Sequence, residues 1–315
     1  MLNLSNKPNL AILAVIAPQL IIAWLVVWWG GGEDHYFKAI PAKYRVAAET
    51  QSPKIVLAGG SSVAWGSDSE TFTRSCGRPC VNLGLNAGQG LAFRLSEAIG
   101  FCDPGDALVL SLEYNELSTK PYGQIVAKTL LYSPPSVRFV SGEAIKSALD
   151  EGVLELVAGR ARIVWSKLVG QFENESLYRS SNFNERGDFV GHENRQPENQ
   201  QNRWKMDLFP AATEYLNRLK TFDQECQDIG VTVFYRLPCI PRSTVKDAMP
   251  TLKKTETQMA KIFGNRMLNR LPETLLSDDC FFDTPYHLIH REKIRTSKLL
   301  AERLNLRLME SLEQP

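Results

Sequence analysis

The chain carries almost no net charge: 36 basic residues stand against 35 acidic ones, a formal balance of +1. That balance gives no support for a nucleic-acid footprint, which needs a basic excess gathered on one face. No Gly-Lys-(Ser/Thr) phosphate loop is present, and the glycines between Gly84 and Gly90 lack dinucleotide-binding spacing, which argues against a nucleotide-binding domain. No internal repeat recurs at a fixed period. Histidine is scarce, with His35, His192, His287 and His290 as the four positions. Six cysteines occur, but Cys76-Gly-Arg-Pro-Cys80 has no second Cys or His pair at ligand spacing, so no zinc site is expected. The cysteines fit either of two states: disulfides in an oxidising compartment, with Cys76 and Cys80 bridged to each other or one of them to Cys102, or ordinary buried thiols.

One long apolar run is present. Residues 10–29 are interrupted only by Pro18 and Gln19, with Trp24, Trp28 and Trp29 toward one end. About 20 apolar residues match the hydrocarbon thickness of a bilayer, and the tryptophans resemble an interfacial belt. A cleaved signal peptide is the alternative, but its apolar core runs only about 7–15 residues before a small-residue site. Here the run is longer and Gly30-Gly31-Gly32 follows without a clear site. The expectation is an uncleaved single-pass anchor at residues 1–32, followed by a linker with a short amphipathic lead-in at 33–53. Lys7 on one side and Lys38, Lys43 and Arg45 on the other leave its orientation open.

The remainder is long enough for one large α/β domain plus an appendage. Strand-like apolar runs occur at residues 54–58, 80–85, 107–112, 231–237 and 280–283. Helical periodicity lies between them, over residues 91–101, 212–229, 251–271 and 289–312. Alternating strands and helices predict a mostly parallel, five-stranded sheet covered on both faces, with all carboxyl ends on one rim. The alternation breaks over residues 117–210, which are too long for a simple crossover. They predict an inserted cap, with a helix over 144–168 and a polar, mobile loop over 182–203. The sheet domain is then 54–116 joined to 211–315.

The chemistry-bearing residues fall in four short segments. The first is Gly60-Ser61-Ser62-Val63-Ala64-Trp65-Gly66, where serines follow a strand on a glycine bend. The second is Val81-Asn82-Leu83-Gly84-Leu85-Asn86-Ala87-Gly88. The third is Leu112-Glu113-Tyr114-Asn115-Glu116-Leu117. The fourth is Phe282-Asp283-Thr284-Pro285-Tyr286-His287-Leu288. This set resembles the SGNH (GDSL-like) hydrolase superfamily over about residues 54–304. The resemblance implies a three-layer α/β/α fold with a flavodoxin-like sheet and assigns roles by position. Ser62, flanked by Gly60 and Gly66, is the implied nucleophile, with Ser61 in the usual aspartate position and as the alternative nucleophile. Gly88, or else Ala87, offers a backbone N–H to the oxyanion, and Asn115 offers its side-chain amide. His287 is the base and Asp283 its partner. The family spacing is Asp-x-x-His, whereas this chain has one residue more, so Asp278, Asp279 or a backbone carbonyl could hold the ring instead.

These residue types suit acyl transfer. A serine hydroxyl needs an adjacent base, imidazole titrates near neutrality, and a carboxylate fixes its tautomer. No metal or organic cofactor is needed. An anchored, divergent domain of this kind is similar to accessory proteins of bacterial exopolysaccharide O-acetylation, which work beside a multi-spanning membrane O-acyltransferase. The resemblance implies a serine-dependent esterase or O-acetyltransferase acting on an exported or cell-envelope polysaccharide on the periplasmic side. Trp165, Tyr178 and Trp204 are candidate sugar-stacking residues, or residues packing the cap onto the sheet. The alternative is a catalytically inactive SGNH-like subunit that binds or assembles a membrane complex.

Overall fold

The computed structural model describes residues 34–169, 177–197, 206, 208–245 and 247–312, with residues 19, 21, 22 and 25. The expected anchor and Trp204 lie outside the described residues, apart from those four positions. Among the described residues no helix is long and apolar enough to cross a membrane.

The central sheet is parallel. Strands β1 (Ile55–Gly59), β2 (Cys80–Asn82), β3 (Ala107–Ser111) and β4 (Thr232–Tyr235) lie in the order β2-β1-β3-β4. Ile55 registers with both Cys80 and Ala107, and Ala107 with Thr232. β1 and β3 are buried at every position, as expected of central strands covered on both faces. Side chains alternate between the two faces with period two. Val56, Ala58, Leu108, Leu110 and Val233 join one apolar cluster, while Ile55, Leu57, Val109 and Phe234 join the other.

Helices pack against both apolar clusters of the sheet. The first cluster takes residues from α1 (Ala39–Glu49), α4 (Leu91–Ile99), α8 (Thr213–Asp228) and α9 (Met249–Phe263). The second takes Val63 of α2 (Ser61–Gly66), Phe72 of α3 (Ser69–Cys76), and Leu300, Ala301, Leu304 and Leu308 of α11 (His290–Leu312). Among the described residues the sheet has four strands rather than the expected five. Residues 280–283 do not pair with it: a single turn of 3-10 helix (Asp278–Cys280) precedes Phe281, which makes an isolated bridge to Leu288. Phe281 and Phe282 are buried as loop anchors, which is why the run is apolar without being a strand. A separate two-stranded parallel pair joins β5 (Ile240–Pro241) to β6 (Leu275–Leu276), beyond the short α10 (Leu271–Thr274).

Two segments are more tightly built in than their composition suggests. Within 33–53, Tyr36, Phe37, Ile40, Tyr44 and Ala47 are buried in the core. There the Lys43 ammonium donates to the carbonyls of Asn82, Gly84 and Gly187. Within the insertion, α5 (Gly123–Tyr132), α6 (Gly142–Ser147) and α7 (Val153–Leu168) share a small cluster of their own, with Val126, Ala144, Ala148 and Leu156. The polar stretch that follows is not an excursion into solvent where it is described. Asp188 accepts from Ser69 and Asn82, Phe189 stacks on Trp65 at 3.9 Å, and His192 is buried. All six cysteines are free thiols, so of the two states open by sequence the disulfide-bonded one is not formed.

Candidate active site

β1 and β3 are adjacent, yet the chain leaves β1 toward β2 on one side and β3 toward β4 on the other. Open α/β sheets bind ligands outside the carboxyl ends of the strands at such a switch point. Here that point carries Gly59-Gly60-Ser61-Ser62 after β1 and Glu113-Tyr114-Asn115 after β3. A Cβ at position 60 would lie 2.6 Å from Glu113 Oε1 and 3.0 Å from the Ala87 Cβ, so a larger residue there would displace the Glu113 carboxylate.

A cavity of about 510 Å³ opens at this rim. Its walls include Ser61, Asn86, Glu113, Asn115, Tyr178 and His287. His287 comes from the opposite end of the sequence and is held on three sides. Its Nδ1 is 2.7 Å from Asp283 Oδ1, its ring stacks on Trp65 at 4.1 Å and 5°, and the Tyr178 hydroxyl lies 3.4 Å from the same Nδ1. The Asp283 contact assigns the proton to Nδ1, leaving the Nε2 lone pair available as a base. The extra residue between Asp283 and His287 is absorbed by a turn in which His287 N donates to Thr284 O and Phe282 N to His287 O.

The carboxylate is built to stay ionised. Burial alone would raise the Asp283 pKa. The hydrogen bond and charge of His287 and the Tyr178 hydroxyl, which donates to Oδ2 at 2.5 Å, outweigh it and hold the group below its ordinary value. Asp278 accepts from Ser243 N instead, at 3.3 Å. Tyr178, a candidate sugar-stacking residue by sequence, thus touches the acid and base directly, whereas Trp165 is 67% exposed on α7.

The two serines part company. Ser61 lines the cavity with His287, and its hydroxyl donates to Glu113 Oε1 at 2.9 Å. Ser62 is 4% exposed, its Oγ has no hydrogen-bond partner, and it lines a different, smaller cavity. Successive residues on a helix point about 100° apart, and here the first turn of α2 turns the two side chains toward different cavities. Of the expected set, His287 and Asn115 line one cavity with Ser61, Asp283 is bonded to His287, and Ser62 lines the neighbouring cavity instead.

The oxyanion candidates divide similarly. Asn115 lines the cavity, and its Oδ1 is buried without a partner. The Gly88 N–H already donates to Asn86 Oδ1 at 2.9 Å, so it is not a free donor in this arrangement. Glu113, which the third motif contains but to which the sequence assigns no role, is central: its Oε1 accepts the Ser62 N–H at 2.9 Å as well as the Ser61 hydroxyl. Its own N–H donates to Glu116 Oε2. Burial, with the charge of neighbouring Glu113, pushes the Glu116 pKa up and favours its neutral form. A glutamate after a strand carries no distinguishing sequence signal, which is why its role was not legible.

His35 and His192 are poor bases. Burial, reinforced by nearby cations, pushes each imidazole pKa down to about 3. Among the described residues no group of three or more His, Cys, Asp or Glu side chains is arranged to hold a metal ion. No protein-family model matches the chain, and no curated protein matches it either.

Proposed function

We propose that this protein is a divergent SGNH-like acyl-ester hydrolase or O-acetyltransferase with Ser61 as its nucleophile. The observation that carries the reading is the meeting of Ser61, Asn115 and the Asp283–His287 pair around one cavity at the switch point. Ser61 Oγ rotates from Glu113 to His287, gives its proton to Nε2 and attacks the acyl carbonyl carbon. The tetrahedral oxyanion takes hydrogen bonds from the Asn115 amide and the Ser61 N–H. Its collapse breaks the ester C–O bond, and the leaving alkoxide receives the proton from His287. Water or a sugar hydroxyl then attacks the acyl-Ser61 carbonyl, passing its proton through Nε2 back to Ser61. The acceptor is an exported or cell-envelope polysaccharide. The apolar run at residues 10–29 serves as the anchor beside a multi-spanning O-acyltransferase, with the catalytic domain on the periplasmic side.

One observation favours a second reading, a binding or assembly subunit without catalysis. The Ser61 hydroxyl is engaged by Glu113, and a carboxylate there opposes an oxyanion forming beside it. Polymer acetylation compared in cells carrying wild type, Ser61→Ala and His287→Ala separates the two. Loss of acetyl groups in both variants is the expected result. Normal acetylation in both, with the proteins present at wild-type levels, contradicts catalysis.

A further inference from the structure

The smaller cavity behind the serine bend contains a charge without a counter-charge. Arg236 follows β4 directly and is 5% exposed. Among the described residues no carboxylate pairs with it. Among the described residues its guanidinium makes two long contacts, to Gly66 O at 3.5 Å and Ser62 O at 3.3 Å. Burial lowers its pKa to about 10, so it remains a cation at neutral pH. A buried cation is costly unless something compensates it, and carbonyl dipoles at those distances compensate little.

The cavity wall also holds the Ser62 hydroxyl, buried and without a partner. A hydroxyl and a guanidinium both donate, so the two lack one thing in common, an acceptor that carries negative charge. The remaining wall residues do not provide it. Asn269 spends both amide atoms on Leu237, Glu273 is bonded to Arg303, and burial pushes the Cys239 thiol up to about 11, which leaves it neutral. Arg295 and Arg303, half exposed on α11, also line the cavity, and each already has a carboxylate partner, Glu292 and Glu273 respectively, so Arg236 is the cation left to compensate there. The free space is about 50 Å³, enough for a few waters or one small ion, and too small for a sugar or a nucleotide.

We infer that this cavity is a binding site for a small inorganic anion of halide size, held by the Arg236 guanidinium and the Ser62 hydroxyl. The inference is independent of the hydrolase reading, since none of these groups lines the Ser61 cavity. Ser62 nonetheless belongs to the same helical turn as Ser61, so an anion there braces the segment that presents the proposed nucleophile.

The test is the line width of chloride-35 nuclear magnetic resonance in solutions of the full chain. Wild-type protein broadens the line, and added bromide reverses the broadening by competition. Arg236→Gln abolishes the effect, and Ser62→Ala, a milder change that keeps the cation, weakens chloride binding by about tenfold, the cost of one hydrogen bond to a charged partner. No excess broadening with folded wild-type protein overturns the inference. So does broadening that persists unchanged in folded Arg236→Gln, or chloride affinity unaltered in Ser62→Ala should the arginine variant fail to fold.

Discussion

Ser61 and Ser62 are neighbours in the chain and face different cavities. On the Ser61 side, the Asp283 carboxylate accepts from both the Tyr178 hydroxyl and His287 Nδ1, and the Ser61 hydroxyl donates to Glu113. On the Ser62 side, a hydroxyl and a guanidinium are buried with almost nothing to bond. The contrast teaches that burial alone does not mark a reactive group. What distinguishes the first side is that each donor meets an acceptor and the last acceptor, His287 Nε2, is left for a substrate proton.

The largest effect that can break this comparison is at the serines. Ser61→Ala is expected to lower ester hydrolysis by about 10⁶-fold, the scale seen when a triad nucleophile is removed, whereas Ser62→Ala keeps the wild-type rate to within a small factor. Steady-state assays on a chromogenic acyl ester measure both. Asp283→Asn should cost about 10⁴-fold in kcat, because the amide favours the wrong His287 tautomer. Asn115→Ala removes one oxyanion donor and should cost about 10²–10³-fold, mainly in kcat rather than KM. Tyr178→Phe, which deletes one hydrogen bond to Asp283, should cost about tenfold.

The smallest effect concerns stability. His192 packs at 4.9 Å from Trp65, the ring on which His287 stacks, yet neither of its nitrogens has a partner among the described residues. Its folded pKa of about 3 lies below the unfolded value near 6.5. Stability from keeping it neutral is therefore complete above about pH 6.5 and is lost as pH falls from there toward 3. Between pH 7 and pH 5 that loss is about 2 kcal/mol. In His192→Phe the acid-induced loss should be smaller by that amount, as read from urea unfolding at the two pH values. An equal loss in both proteins would mean that His192 is protonated in the fold.

Much of this architecture is legible in the residues. Four of the five apolar runs are strands, and 91–101, 212–229 and 289–312 are helical nearly as the periodicity predicts, because strong patterning decides element type before tertiary contacts act. The fifth run fails since Phe281 and Phe282 are apolar for anchoring a loop, and a short apolar run looks alike in either role. The polar composition of 182–197 hides Asp188, Phe189 and His192, three side chains that the core needs. Asp283 and His287 were legible through their motif, although their meeting depended on a turn one residue longer than the family pattern. The choice between Ser61 and Ser62 was not legible, because it rests on the rotation of the first turn of α2, which tertiary packing sets.

The most direct measurement is fluorophosphonate labelling of the folded full chain, with the modified residue located by fragmentation of the peptide that carries both serines. A phosphonyl adduct on Ser61, formed in wild type and in Ser62→Ala but not in His287→Ala, is the predicted result. An adduct on Ser62 would contradict the assignment of the two hydroxyls to their separate cavities.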